Sequence, residues 1–449
     1  MPKGFDAGDT AFVLICAALV MLMTPGLAFF YGGMVRVKSV LNMLMMSFVS
    51  LGIVSVLWVA YGYSLAFGAD SGAGLLGNLD FIGMKGITDT TLTGSIPVFA
   101  FAAFQLMFAV ITPALISGAL ADRTRFGAWL LFITLWVTVV YFPVAHWVWQ
   151  SGGWIFKLGV KDFAGGTAVH LNAGMAALGA LLVLGKRIGF KKDPMRPHSL
   201  PLVMLGSGLL WFGWFGFNAG SALAADGTAG LAFLNTQIAT GAAMLGWLGY
   251  ERLRHGAFTS LGAASGAVAG LVAITPACAA VNVWGAIAIG VIAGAVCAWA
   301  VGLKYRLGYD DSLDVVGVHA VGGLLGTLLI GVFDSTDGLT AGAGFGQLGK
   351  QAAGAFAVAA YSLAVSWLLA KAIDRTIGFR AAEEDEVTGL DQAYHAETAY
   401  DFGSLGGGVA RMAVPIGAGT GATITPQYAT QQHATPQQTA TQQNEVDAR

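Results

Sequence analysis

The chain has 449 residues, 56% of them hydrophobic and only 11% charged, with a formal net charge of −2. Soluble domains carry about a quarter charged residues, so an ordinary soluble enzyme is excluded. The near-neutral balance gives no footprint for a polyanion, and no nucleic acid partner is expected. A count of 64 glycines suits helices packed closely in a lipid bilayer.

A bilayer core takes about 20 apolar residues per helix. Eleven runs meet that length within boundary error: 10–31, 42–67, 97–120, 126–149, 165–185, 200–221, 230–250, 260–280, 281–303, 315–333 and 351–370. The first has no basic stretch before it and reads as a retained membrane helix rather than a cleaved signal peptide. Pro25-Gly26 inside it bends a helix in lipid without ending it. The eighth and ninth runs adjoin with no charge between them, and only Pro276 and Asn282 mark the boundary. Cys16, Cys278 and Cys297 lie in or beside apolar runs without metal-ligand spacing, and read as small packing residues.

Basic residues orient the spans. With the N-terminus outside, the five inner loops hold thirteen lysines and arginines, among them Arg36, Arg123, Arg187, Arg252 and Lys304. The outer segments hold five: Lys3, Lys85, Lys157, Lys161 and Lys350. The positive-inside rule therefore gives N-out and C-in. The expected fold class is an all-α integral membrane protein of eleven transmembrane helices, multi-pass in the cell (cytoplasmic) membrane.

After Ala370 the chain becomes charged up to Asp401, acidic around Glu383 to Glu386, and is expected to be cytoplasmic. From about Leu405 it turns to Gly, Ala, Thr and Gln, a composition that cannot bury a core and predicts disorder. The expected organisation is a membrane domain over 1–375, a C-terminal segment over 376–404 and a disordered tail over 405–449.

An internal echo organises the membrane domain. Val169-His170 with Gly174 lies in the fifth span; Val318-His319 with Gly323 lies in the tenth. An aspartate stands eight residues before each histidine, Asp162 and Asp311. Five spans apart, the two copies enter from opposite sides. This is the signature of an inverted repeat with its site at the midplane between the halves. The halves run over about 10–185 and 200–333, with an eleventh helix at about 351–370.

Almost no ionisable side chain lies within the spans besides His146, His170 and His319. Such groups are costly in lipid and are functional candidates with a partner to be named. For His170 and His319 the partner is each other: two neutral imidazoles share one hydrogen bond and keep one nitrogen each for a small polar molecule. Either alone would read equally as a tie between helices, but a symmetry-related pair favours function. His146, near the outer end of the fourth span, reads as structural. Asp162, ahead of Gly165 and Gly166, reads as a cap of the fifth helix.

The segment Asp162-Phe-Ala-Gly-Gly-Thr-Ala-Val-His170 resembles the signature of the ammonium transporter family, with Ala168 where many members have Val. Phe104 to Phe108, Ala145 to Trp149, Trp211 to Ser221, Thr275 to Cys278 and Gly317 to His319 resemble further family motifs in family order, and the likeness runs from about Thr10 to Asp401. The resemblance implies that Phe108, Trp149 and Ser221 recruit ammonium at the outer face. It implies a gate of Phe108 and Phe217, a pore lined by His170 and His319, and support of the site by Asp162 and Ala164. It further implies a homotrimer with one pore per subunit and a cytoplasmic PII-type signalling protein that plugs the pore from inside.

The expected function is selective ammonium uptake: the cation is recruited, deprotonated, and crosses as ammonia through an apolar pore. No catalytic residue, cofactor or metal is expected. A metal-bearing redox protein is disfavoured because the two histidines have no Cys or carboxylate at ligand spacing. Two alternatives stay open, a passive Rh-type ammonia or carbon dioxide channel and an ammonium sensor. Trp149 with Ser221 favours the scavenging branch over the first. The absence of a recognisable signalling composition after Asp401 disfavours the second.

Overall fold

The computed structural model describes residues 2–400; the expected disordered tail over 405–449 lies outside the described residues. Among the described residues, nine helices are long and apolar enough to cross a membrane. They are α1 Ala7–Met34, α2 Val37–Phe67, α3 Val98–Leu120, α4 Phe126–Leu158, α5 Gly166–Leu184, α6 Leu200–Ala222, α9 Val283–Leu307, α10 Val316–Phe333 and α11 Gly346–Thr376. The two other expected spans are helical too, as α7 Gly227–His255 and α8 Ser260–Ile274. By length and hydropathy these two stand apart from the nine. A small hairpin pairs Leu92–Thr93 with Ile96–Pro97 between α2 and α3.

Local chemistry sets most ends. Asp6 caps α1, Ser199 caps α6, Asp226 caps α7, Thr259 caps α8 and Asn282 caps α9, each accepting a backbone N–H of the first turn. Helix α1 runs unbroken through Pro25. The expected eighth span, 260–280, stops early at Ile274. Pro276 brings no N–H to continue the ladder, and Asn235 Nδ2 takes the freed carbonyls of Cys278 and Val281 at 2.9 and 2.8 Å. Helix α11 outruns its expected 351–370 at both ends, because charged residues such as Lys350 and Arg375 end an apolar run without ending a helix.

The helix neighbours repeat between halves. Contacts α1·α3, α2·α3, α2·α4 and α3·α5 recur as α6·α8, α7·α8, α7·α9 and α8·α10, while α1 packs on α6 and α5 on α10. This is what a two-fold relation between helices five apart requires. Burial follows the same arrangement: 78% of the apolar window of α5 and 72% of α3 are buried, against 33% in α2 and α11. The centre therefore lies at α3, α5 and their counterparts.

At the end bearing Arg187 the loops are tied by buried charges. Arg187 grips Asp310 through Nε and Nη2 at 2.9 and 2.8 Å, and its own backbone N–H adds a bond at 2.7 Å. Arg123, fully buried, donates to the carbonyls of Ala119 and Asp310. The segment after α11 docks on this same end. Short helices α12 Glu383–Thr388 and α13 Leu390–His395 follow Phe379, which stacks on Phe132 at 5.4 Å. Glu386 accepts the N–H of Ile188, and Asp391 accepts those of Leu41 and Asn42. At the opposite end Lys161 pairs with Asp334 and Asp337 at 2.7 and 2.8 Å. Gln351 bridges Lys161 to Thr327 there, joining the start of α5 to α10 and α11.

Candidate functional site

Both aspartates of the echo are caps. Asp162 Oδ1 accepts from Gly165 and Gly166 N–H at 2.9 and 2.7 Å, and Oδ2 from Thr167 and Ala168 at 3.0 and 2.9 Å. Asp311 accepts from Val315 and Val316 at 3.0 and 2.8 Å. Three residues after each acid the backbone takes a positive φ, +108° at Gly165 and +64° at Asp314. The chain thus turns sharply and enters the helix with its first N–H groups already satisfied. Asp162 is buried, and Ala164 beside it is fully buried.

The first turns of α5 and α10 are π-helical, over Gly166–Leu171 and Val316–Ala320. Each wider turn carries one histidine. The glycines of the echo are where the helices cross. A Cβ on Gly174 would collide with the backbone of Ala320, and one on Gly323 would come within 2.6 Å of Gly166 O and 3.2 Å of His170 Cβ. Glycine at these two positions lets the backbones approach until the imidazoles meet. The rings of His170 and His319 stack with centroids 5.4 Å apart, and their Nδ1 atoms face each other at 3.4 Å. Both are almost fully buried, and His170 Nε2 has no hydrogen-bond partner among the described residues.

Aromatic rings cover the pair on one side. Phe108 from α3 and Phe217 from α6 stack at 4.0 Å with 21° between their planes, and Phe217 lies 5.9 Å from the His170 ring. Both phenylalanines are buried. Trp149 meets Phe108 edge-on at 5.9 Å, and its Nε1–H donates to the Asp162 carbonyl at 3.0 Å. Asp162 therefore anchors Trp149 through its backbone and α5 through its carboxylate. Ser221 follows Phe217 by one turn, and its hydroxyl donates back to the Phe217 carbonyl at 2.9 Å. That leaves its lone pairs, rather than its proton, for anything outside the helix.

Two residues that the sequence reading passed over belong here. The Trp214 indole lies flat on the His170 ring at 5.1 Å and 19°, and donates to Thr275 Oγ1 at 2.8 Å. Trp214 stands three residues before Phe217 on α6, a spacing that places both on one helix face. The motif containing it was legible, but which of its five aromatics face the histidines was not.

Cavities lie toward both ends, and one of them reaches His319. At the Trp149 end a cavity of about 690 Å³ is lined by Trp149, Phe163, Pro276 and Asp334. On the other side of His319 a cavity of only about 10 Å³ touches Tyr31, Leu313 and Asp314, about the room that one water molecule needs. Leu313 and Asp314 also line a polar cavity of about 180 Å³ with Arg187, Lys191 and Lys304. A wide, mostly apolar cavity at the Trp149 end, a polar one at the Arg187 end and a narrow, histidine-bearing middle suit a small solute that crosses without bulk water.

The chain matches the model of the Ammonium Transporter Family over residues 11–400. It is 57% identical over 441 residues to an ammonium transporter of Mycobacterium tuberculosis, covering 90% of this chain and 92% of the relative. An ammonium transporter of Bacillus subtilis is 48% identical over 404 residues, covering 88% and 98%. The crystal structure of Saccharomyces cerevisiae Mep2 superposes with a TM-score of 0.79 at 36% identity, covering 85% of this chain and 91% of that one. With a family match across nearly all described residues and relatives of this similarity over almost their whole length, this multi-pass membrane protein belongs to the ammonium transporter family.

Proposed function

We propose that the protein takes up ammonium selectively across the cell membrane, through eleven spans with the N-terminus outside. The observation that carries this reading is the buried His170–His319 pair beneath the Phe108–Phe217 stack. Ammonium is drawn to the outer site of Phe108, Trp149 and Ser221, where ring faces add about 0.5–2 kcal/mol of cation–π attraction. An ion at the bilayer centre costs from a few to more than about 10 kcal/mol. Sodium and potassium cannot shed that charge, whereas ammonium can release a proton and pass as ammonia. The histidine pair offers that molecule one acceptor and one donor, because one ring gives its Nδ1 proton to the other.

Homotrimeric assembly belongs to the same reading. So does a PII-type partner at the inner face, meeting the inner loops and the segment Ile377 to Tyr400. The docking of Glu386 and Asp391 on those loops supports it.

The test is current from purified protein in a supported membrane after pulses of ammonium and then potassium. Current with ammonium alone supports selective, charge-coupled transport. Silence to both, with ammonia still crossing in a pH assay, overturns charge coupling in favour of passive gas conduction.

A further inference from the structure

His146 is absorbed by neither the pore nor the caps, although it is fully buried near the end of α4. Its Nδ1 stands 3.1 Å from the carbonyl oxygen of Ala66, and its Nε2 stands 3.5 Å from Asp70 Oδ1. Both neighbours are acceptors. A neutral imidazole has one N–H and one lone pair, so either neutral tautomer would aim a buried lone pair at an oxygen. Nε2 completes no hydrogen bond at this separation among the described residues, and only an imidazolium would turn an N–H toward both oxygens.

Burial works most strongly against a cation here, and the Lys157 charge from the end of α4 adds to it; the Ala66 carbonyl and Asp70 from the α2–α3 loop favour the cation. Asp70 is built as an anion site. Burial pushes its carboxyl up, but the N–H groups of Gly72 and Gly74, His146 and the Lys157 charge together hold it below its usual value.

The same loop grips the chain on both sides of Trp149. Trp147 Nε1–H donates to the Leu75 carbonyl at 2.7 Å, and the Trp154 N–H donates to the Gly74 carbonyl at 3.2 Å. His146 itself lies one turn before Trp149 and accepts the Gln150 N–H. Loop and helix end are therefore fastened at three points that bracket the recruitment tryptophan.

We propose that His146 is an imidazolium clasped between Ala66 and the partly exposed Asp70, and that this ion pair is the positioning device for Trp149. The inference rests on the reading of Trp149 as part of the ammonium site.

The test uses full-length protein labelled with ¹⁵N-histidine in liposomes, with the His146 signal identified by its loss in His146→Gln. The expected result is a ring protonated on both nitrogens at neutral pH that loses one proton in Asp70→Asn. A singly protonated ring in the unaltered protein overturns the proposal. In uptake assays on protein shown to be folded, Asp70→Asn should raise half-saturation for ammonium about three- to tenfold with the maximal rate retained, and Asp70→Glu should restore part of it. A shift in Trp149→Leu with none in Asp70→Asn overturns the positioning role. No shift in Trp149→Leu itself overturns the recruitment reading instead, and the ¹⁵N result then decides the clasp alone.

Discussion

His170 and His319 are 149 residues apart in sequence, yet their Nδ1 atoms face each other at 3.4 Å across the α5–α10 crossing. That contact admits one proton between the rings. The ring that donates it keeps a lone pair at Nε2, and the ring that accepts it keeps an N–H. The pair therefore presents unlike ends to whatever passes.

Replacing both histidines with leucine should abolish selective ammonium current while the particle extracted in detergent keeps its size. Leucine fills similar volume, so folding should survive. Unchanged current and unchanged exclusion of potassium would demote the pair to a tie between helices.

Trp149→Leu should raise half-saturation for ammonium about two- to thirtyfold, the range of about 0.5–2 kcal/mol of cation–π attraction. Its indole also holds the Asp162 carbonyl, so thermal stability should fall slightly as well. Concentration dependence of the current separates the two effects; an unshifted curve removes Trp149 from the site.

Asp162→Ala would strip four backbone N–H groups at the start of α5 of their acceptor. The expected cost is at least about 2 kcal/mol, since one lost cap costs about 0.5–2 and each buried orphan adds to it. Thermal unfolding in detergent reads this directly. Asp311→Ala should cost less, because Asp311 caps two N–H groups rather than four.

Gly323→Ala places a methyl group 2.6 Å from Gly166 O. Overpacking of this kind costs about 1–3 kcal/mol, relieved by moving α10 away from α5. The histidines then part and current should fall, even where the folded particle persists. Gly349, whose Cβ position is open, is the matched control: Gly349→Ala should leave current unchanged.

The Arg187–Asp310 pair should show in the acid limb of stability. Burial pushes the Asp310 carboxyl up, but hydrogen bonds from Arg187 and the charges of Arg123 and Arg187 outweigh it and hold the group below its usual value. A depressed carboxyl stabilises the fold above the unfolded value of 3.8 and loses that contribution as pH falls through the lowered one. Arg187→Ala should cost up to about 3–5 kcal/mol at neutral pH, because the buried carboxylate keeps only the Arg123 guanidinium, 3.9 Å away. The difference should narrow in strong acid. A gap between melting curves that stays constant with pH would count against the pair.

The sequence by itself determined the membrane class, the positions of the helices and the histidine echo. Each is a local property: apolar length, charge avoidance and spacing along one strand of chain. It also contained the cap at Asp162, because a cap needs only the residues that follow it, and the boundary at Asn282. The tertiary structure alone decided which faces meet. That Trp214 rather than Trp211 covers His170, and that His146 faces two acceptors from another loop, depends on helices distant in sequence. So does the docking of Asp391 on Asn42. The shared physical reason is that a buried polar group must find its partner wherever the crossing of backbones places one. At Gly174 and Gly323 that crossing is fixed by the absence of a side chain, which spacing could mark but not aim.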